Sequence, residues 1–497
     1  MKKIMVLGTA SSVGKSTVAT AICRYYRKKG FKVAPFKAMN ISLNSFVTED
    51  GLEMGRSQVV QAEACEIKPL AEMNPVLLKP GGNNKTQVIV NGRVHCTMDA
   101  YKYKDLNKEL KKIVKNTFED LSKDYEVMVL EGSGSCAEIN LRETDIANMS
   151  MAKAAGADVI LVADIDRGGV FASVVGTLML LTEEERALVK GVIINKFRGK
   201  AEFFEDAMKQ LEDIIKVPVL GVLPYFNLDI EDEDSVTERI KEKSKAEGFD
   251  IAIVRLPHMS NFTDFNALEI MKDVSVRYVS DSSELQNPDL LIIPGSKNTI
   301  YDLKAIKEMG FYDKVLELQK SGTIIFGICG GYQILGELVD DSQGVEGEPT
   351  IEKGIGLLKI KTIFNDVKKT CQTQGRIECS SDIIKDCLGS KVTGYEIHNG
   401  VTEVLEGAEG FIISSEGEAL GVCNKEGNVF GTYLHGVFDE GEFAKDFINA
   451  LRKHKGQAVV ESEVLDYRKY KMSQYDELAK LFEENIDISR VDFNVSK

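Results

Sequence analysis

Ile324-Ile325-Phe326-Gly327-Ile328-Cys329-Gly330-Gly331-Tyr332-Gln333 is an apolar run that breaks at a glycine, presents a thiol and passes into a helical pattern. Strand, tight turn and helix in that order form a nucleophile elbow. The turn lifts the sulfur clear of the sheet and aims the next backbone N–H groups at the carbonyl it would attack. Working outward from this strand, short apolar runs recur at Ile251–Leu256, Ser275–Val279, Leu290–Ile293 and Val429–Leu434. A similar series occupies the first half, at Ile4–Leu7, Lys32–Pro35, Glu126–Leu130, Asp158–Ala163, Val192–Ile194 and Val219–Leu223. Helical patterns such as Ser16–Lys29, Asp105–Leu121 and Glu202–Ile214 separate them. Apolar strands alternating with helices predict an α/β fold with mostly parallel sheets covered on both faces. The expected organisation is two doubly wound domains, 1–228 and 251–446, joined by an acidic linker at 229–250. A charged helical tail, 447–497, has no assigned chemistry.

Composition narrows the function classes. A chain of 497 residues with 43% hydrophobic and 28% charged residues has ordinary globular composition and room for two or three domains. The net charge of −15 argues against nucleic acid or an anionic membrane as the main partner. Nine cysteines without regular spacing fit a reducing compartment, and the absence of any CxxC pair argues against structural zinc. The apolar stretch after Met1-Lys2-Lys3 stops at Gly8, and no apolar run approaches the ~20 residues of a membrane helix. A cytoplasmic location is expected.

A second motif opens the chain. Gly8-Thr9-Ala10-Ser11-Ser12-Val13-Gly14-Lys15-Ser16-Thr17 follows the first strand and starts the first helix. In such a loop backbone N–H groups surround a polyphosphate, Lys15 reaches the terminal phosphates and the Ser16 hydroxyl binds Mg²⁺. Five residues separate Gly8 from Gly14, one more than in the usual phosphate loop; dethiobiotin synthetase and its relatives share that longer form. Glu131, at the end of the Glu126–Leu130 strand, lies where a metal-binding carboxylate would sit, a solvated carboxylate being the alternative. Lys37 follows the second strand in the same relation to the sheet, as a nucleotide contact or a surface lysine.

A thiol nucleophile needs a base. Of five histidines, His435 in Gly431-Thr432-Tyr433-Leu434-His435-Gly436 ends a late apolar strand, so it shares a crevice with Cys329. Pro294-Gly295-Ser296 closes another strand and offers N–H donors to an oxyanion.

Gly327–Gln333 together with Tyr433-Leu434-His435-Gly436 resembles the class I glutamine amidotransferase domain, which has a flavodoxin-like sheet and releases ammonia through a glutamyl thioester. Most members carry a glutamate two residues after the histidine; here Val437 stands there, an omission typical of the cobyric acid and cobyrinic acid diamide synthases. Asp439 and Glu396 are candidates for the missing orienting group. The first half resembles the cobyric acid synthase family segment by segment. The matching segments include Asn40, Leu43-Asn44-Ser45, Gly55-Arg56-Ser57-Gln58, Gln61-Ala62-Glu63-Ala64, Met73–Pro80, Glu131–Ser135, Asp164–Ser173 and Asn195–Gly199. Asp466-Tyr467-Arg468 and Gln474-Tyr475-Asp476 extend the resemblance into the tail. Departures at Met39, Cys136 and Lys200 lie outside the catalytic motifs.

The resemblance implies an ATP- and glutamine-dependent ligase that amidates the b, d, e and g carboxylates of adenosylcobyrinic acid a,c-diamide to give adenosylcobyric acid. It implies Cys329 and His435 as catalytic residues. It further implies Gly8, Thr9, Val13, Gly14, Lys15, Ser16, Thr17, Lys37 and Asn195 around ATP, and Ser16 and Glu131 on Mg²⁺. Asp164, Asp166 and Arg167 contact metal or substrate carboxylates, or form structural salt bridges. The near alternative is the related a,c-diamide synthase. The distant one is a partition-type switch ATPase with an inert second domain, which would usually carry a second lysine where Gly8-Thr9 stands.

Overall fold

The computed structural model describes residues 1–81, 85–99, 102, 106–231, 248–461 and 464–491. The first domain is built on six parallel strands in the order Val219–Pro224, Val189–Phe197, Asp158–Asp164, Lys2–Gly8, Val127–Glu131 and Val33–Phe36. Side chains alternate along each strand. Ile4, Val6, Val127, Val129, Ile160 and Val162 face one apolar layer, and Met5, Leu7, Met128, Leu130, Val159 and Leu161 face the other. Period-2 burial on both faces is why these strands are apolar throughout rather than alternating. The helix Lys15–Lys28 covers the first face. The second packs Phe118 of the helix Asn107–Leu121 edge-on against Phe36.

The second domain has an eleven-stranded sheet. Its parallel part runs Val274–Val279, Phe249–Val254, Leu290–Ile293, Ile324–Ile328 and Val429–Thr432. Each strand expected in either domain is present, with ends moved by three residues at most. Beyond Val429–Thr432 the sheet continues through Ala419–Asn424, Ala408–Ser414 and the long pair Ile360–Ile377 and Lys391–Val404, all antiparallel. This extension was not foreseen, because its solvent-facing side interrupts the apolar runs with Lys, Glu, Thr and Gly.

Two small sheets were missed as well, because their strands are short and mix polar with apolar residues. Met39–Ile41, Val76–Pro80, Lys85–Val90 and Arg93–Asp99 form one, and the hairpin Ser45–Val47 with Glu53–Gly55 forms the other. The hairpin buries Val47 against Tyr395 and Ile397 of the second domain. The chain leaves the first sheet at Pro224 and enters the second at Phe249; most of the expected linker, 232–247, lies outside the described residues. The tail helix Tyr467–Asn485 returns to the first domain and packs Tyr475, Leu478 and Phe482 against the helix that follows the phosphate loop. No helix among the described residues is long and apolar enough to cross a membrane.

Candidate active sites

The loop between Gly8 and Lys15 wraps the C-terminal end of the first strand. Gly14 has φ +95, and a Cβ there would sit 2.1 Å from the Asn195 amide nitrogen, so no other residue fits. Asn195 Nδ2 donates to the Val13 carbonyl (2.9 Å), and Lys196 Nζ to that of Ser12 (2.8 Å), which fixes the loop's curvature from a neighbouring strand. Thr9 N–H donates to Val162 O, and Lys15 Nζ to Ala10 O at 3.1 Å, folding the lysine back over the loop. Ser16 and Thr17 lie in the first helical turn.

Glu131 is the hub of this site. Its Oε1 accepts from Ser16 Oγ (2.7 Å) and Lys37 Nζ (3.0 Å), its Oε2 from Gln61 Nε2 (2.6 Å), and the residue is 1% exposed. Lys37 is therefore buried in the site rather than on the surface. Two oxygens 2.7 Å apart match adjacent ligands of an octahedral Mg²⁺, whose ~2.05 Å bonds put neighbouring ligands about 2.9 Å apart. Ser16 and Glu131 therefore fit that ion. Asp164 is paired with Lys196 (3.1 Å) and Asp166 with Arg198 (2.6 Å), while Arg167 is exposed, so the two aspartates take the salt-bridge alternative. Beside the loop, from Ser11 across Met39, Ile41, Ile139 and Leu141, opens a cleft of about 1220 Å³.

The second site sits at the ends of parallel strands. Cys329 has φ +49 and ψ −106, a strained backbone for a residue with a Cβ, and marks the elbow. Gly330 opens the next helix, so its N–H has no carbonyl a turn back and points into the site with the Gly295-Ser296 turn close by. His435, 1% exposed, contacts Cys329 from the neighbouring strand end. Its Nδ1 meets Asp264 Oδ2 at 2.7 Å, and Asp264 Oδ1 accepts the Gly436 N–H at 2.9 Å. Burial alone would lower the imidazole's pKa; the Asp264 carboxylate and the Cys329 sulfur override it and hold the proton up to about pH 10. The Tyr395 ring stacks on His435 at 5.3 Å.

Asp264 was missed by the sequence reading. It comes from the 3-10 turn Phe262–Phe265, 171 residues before His435, and nothing in its spacing marks it. The two groups named instead are elsewhere. Glu396 bonds His398, Lys369 and Thr373, and Asp439 is half-buried, its Oδ1 enclosed and unpartnered and its pKa pushed up to about 7 by desolvation.

The two sites are joined by the segment that carries the family motifs. Tyr395, on His435, donates its hydroxyl to Ser45 O (3.0 Å), Asn261 accepts the Ser45 N–H (3.1 Å), and Thr263 reaches Asn44 Oδ1 (3.4 Å). Glu53 of the first domain pairs with Lys79 and with Lys368 of the second. Lys79 and Lys368 line the small cavity, about 40 Å³, that opens on Cys329.

A phosphate loop on one parallel sheet and a cysteine–histidine elbow on another define a glutamine amidotransferase fused to a nucleotide-binding domain. Family models match accordingly: a CobQ/CobB/MinD/ParA nucleotide binding domain at residues 4–236 and a CobB/CobQ-like glutamine amidotransferase domain at residues 250–443. The chain is 61% identical to the cobyric acid synthase of Clostridium perfringens (strain 13 / Type A) over 491 residues, covering 99% of this chain and 98% of that one. It is 58% identical to that of Clostridium botulinum (strain Alaska E43 / Type E3), with 99% and 98% covered, and 48% identical to that of Alkaliphilus metalliredigens (strain QYMF), with 98% of each. The chain belongs to the cobyric acid synthase family: a glutamine-using amide ligase of cobalamin biosynthesis. Similarity across both domains sets aside the partition-type alternative.

Proposed function

We propose that this chain amidates the b, d, e and g carboxylates of adenosylcobyrinic acid a,c-diamide, using ATP and glutamine, to give adenosylcobyric acid. The observation that carries the reading is one chain holding both a Cys329–His435–Asp264 array and a phosphate loop whose Ser16 and Lys37 converge on Glu131. The about 1220 Å³ cleft beside that loop suits a macrocycle, with exposed Ile41, Ile139 and Leu141 for its apolar face and Lys111 and Arg142 for its carboxylate arms.

A carboxylate is a poor electrophile, and its phosphorylation by ATP makes an acyl phosphate that an amine can attack. Lys15 and the loop N–H groups offset charge on the transferring phosphoryl group. Ser16 and Glu131 would hold Mg²⁺, which would supply further positive charge against the phosphates. At the other site Cys329 attacks the glutamine amide carbon while N–H groups of Gly330 and the Gly295-Ser296 turn receive the oxyanion. His435 passes its proton to the departing nitrogen, and Asp264 holds the imidazole in the required tautomer. Water then releases glutamate from the thioester.

Cys329→Ala abolishes glutamine-driven amidation and leaves ammonium-driven amidation near the wild-type rate, because only thioester formation needs sulfur. Lys15→Ala lowers both by orders of magnitude. Mass spectrometry of the corrinoid products reads each outcome. Robust ammonium-driven turnover by Lys15→Ala sinks the assignment of the phosphate loop.

A further inference from the structure

The cavity that opens on Cys329 is lined by three lysines, Lys79, Lys297 and Lys368, and by one carboxylate, Glu346. Lys79 and Lys368 share a single counter-ion, taking one oxygen each of Glu53. An ammonium group has three N–H donors. Lys79 gives two of them, to Glu53 (2.7 Å) and Ser45 Oγ (2.8 Å), and Lys368 gives two, to Glu53 and Gln87 Oε1, so each keeps one to spare. Lys297 forms no ion pair among the described residues. Glu346 accepts the Ile300 N–H (3.2 Å) and the Thr299 hydroxyl (3.4 Å), which fix its carboxylate and leave lone pairs over. Three cations thus meet two carboxylates, and the surplus is positive. Burial makes these charges costly. It lowers the pKa of Lys297, to which Lys79 adds repulsion, brings Lys368 down to about 7 and raises Glu346 to about 7. Enclosed groups of both signs, each short of a counter-charge, are relieved together by a ligand that carries both signs.

We propose that Lys297, Lys368 and Lys79 seat the α-carboxylate of glutamine and Glu346 its α-ammonium, so that the two domains share the glutamine site. This rests on the two-site reading above. Lys79 lies on the strand Val76–Pro80 of the nucleotide-binding domain, and the second domain alone therefore leaves the seat incomplete. Cys329 and His435 line the same cavity and receive the other end of the amino acid, the side-chain amide. At about 40 Å³ the cavity admits roughly three water-sized groups. Glutamine is larger, and enters by displacing water and drawing the long lysine side chains towards its carboxylate.

The seat ties glutamine to the docked state of the first domain. Lys79 is held by Ser45 and Glu53, one from each strand of the hairpin Ser45–Val47 and Glu53–Gly55. The chain runs from that hairpin directly into the helix Arg56–Ala64, whose Gln61 bonds Glu131 of the phosphate site. A bare second domain would present Lys297 and Lys368 without Lys79 and without Glu53, the carboxylate that Lys368 pairs with.

The test measures ammonia release by the full-length chain, with ATP and corrinoid present, from three amides. These are L-glutamine, L-glutaminamide, whose α-carboxylate is replaced by a neutral amide, and glutaric acid monoamide, which lacks the α-amino group. Wild type prefers glutamine to glutaminamide by about a hundredfold or more in kcat/KM, since the lysines hold the one and repel the other. Lys297→Met cuts that preference at least about tenfold, chiefly through the KM for glutamine, because the carboxylate is held alike in ground and transition states. Lys79→Met narrows it in the same direction, and Lys297→Arg, which keeps the charge, retains most of it. Glu346→Gln instead narrows the preference for glutamine over the monoamide. Each preference is a ratio within one preparation, so a partly folded variant does not distort it. Near-equal use of glutamine and glutaminamide by the wild type overturns the seat with no variant needed. So does equal slowing of both substrates by Lys297→Met, which would put Lys297 on the Cys329 thiolate. An unchanged preference in Lys79→Met overturns the sharing between domains. Absence of glutamine hydrolysis by the wild type instead overturns the two-site reading.

Discussion

His435 is a buried base whose properties are set by one neighbour. Asp264 fixes its Nδ1 at 2.7 Å and, with the Cys329 sulfur, outweighs burial to keep the imidazole protonated up to about pH 10. Asp264→Asn removes the charge while keeping the shape. Glutaminase kcat falls by about a hundredfold or more, as when a catalytic histidine loses its carboxylate. The alkaline limb of kcat/KM moves to lower pH, since the contribution raising the imidazole's pKa is gone. Glu396→Gln, whose carboxylate serves Lys369 and His398, leaves that limb in place. Glutamine hydrolysis measured from pH 6 to 10 at saturating ATP and corrinoid checks this; equal damage from Glu396→Gln rules out Asp264 as the orienting group.

At the scale of elements, the tail helix Tyr467–Asn485 acts as part of the first domain's core although it comes last in the chain. Tyr475, Leu478 and Phe482 sit on the helix that positions Lys15 and Ser16, and Phe482 meets Tyr25 at 5.7 Å between ring centroids. Lys471 adds a part-buried pair with Glu63 at 2.7 Å. Phe482→Ala leaves a cavity under the phosphate-loop helix and costs about 3–5 kcal/mol. Thermal unfolding of the variant therefore has a clearly lower midpoint, and the loss appears in the nucleotide-binding domain rather than in glutamine hydrolysis. An unchanged midpoint would mean that the tail is not part of this core. The helix reads as merely charged in sequence because Lys and Glu dominate its outer face, while its apolar residues are spaced for a groove that only the first domain supplies.

Across the whole molecule, the domains meet through acids buried against bases. Burial would raise the pKa of Glu53, but Lys368 of the second domain and Lys79 of the first pull it down to about 2. A carboxylate depressed in the folded state contributes stability that is fully present above its unfolded pKa of about 4.3 and is lost as pH falls through the folded value. Acid denaturation should steepen between roughly pH 4.5 and 2, and Glu53→Gln should flatten that limb while lowering stability at neutral pH. Calorimetry of both proteins over this range tests it. Identical acid limbs would remove Glu53 as a key of the interface.

The two chemistries were legible in the sequence because each is local. Gly14-Lys15-Ser16 and Gly327-Ile328-Cys329-Gly330 place their reactive groups through the conformation of a few consecutive residues at a strand end, and the apolar runs specify parallel strands buried on both faces. His435 followed from the same logic, as the end of a neighbouring strand. What remained hidden depends on contacts between residues far apart in the chain. Asp264 reaches His435 across 171 residues. Glu53 finds Lys368 across 315. The short strands of the small sheets and the half-exposed antiparallel extension mix polar and apolar residues, so no periodic signal announced them. Local conformation decided which atoms react; the packing of two domains and a returning tail decided what orients them and what lies between.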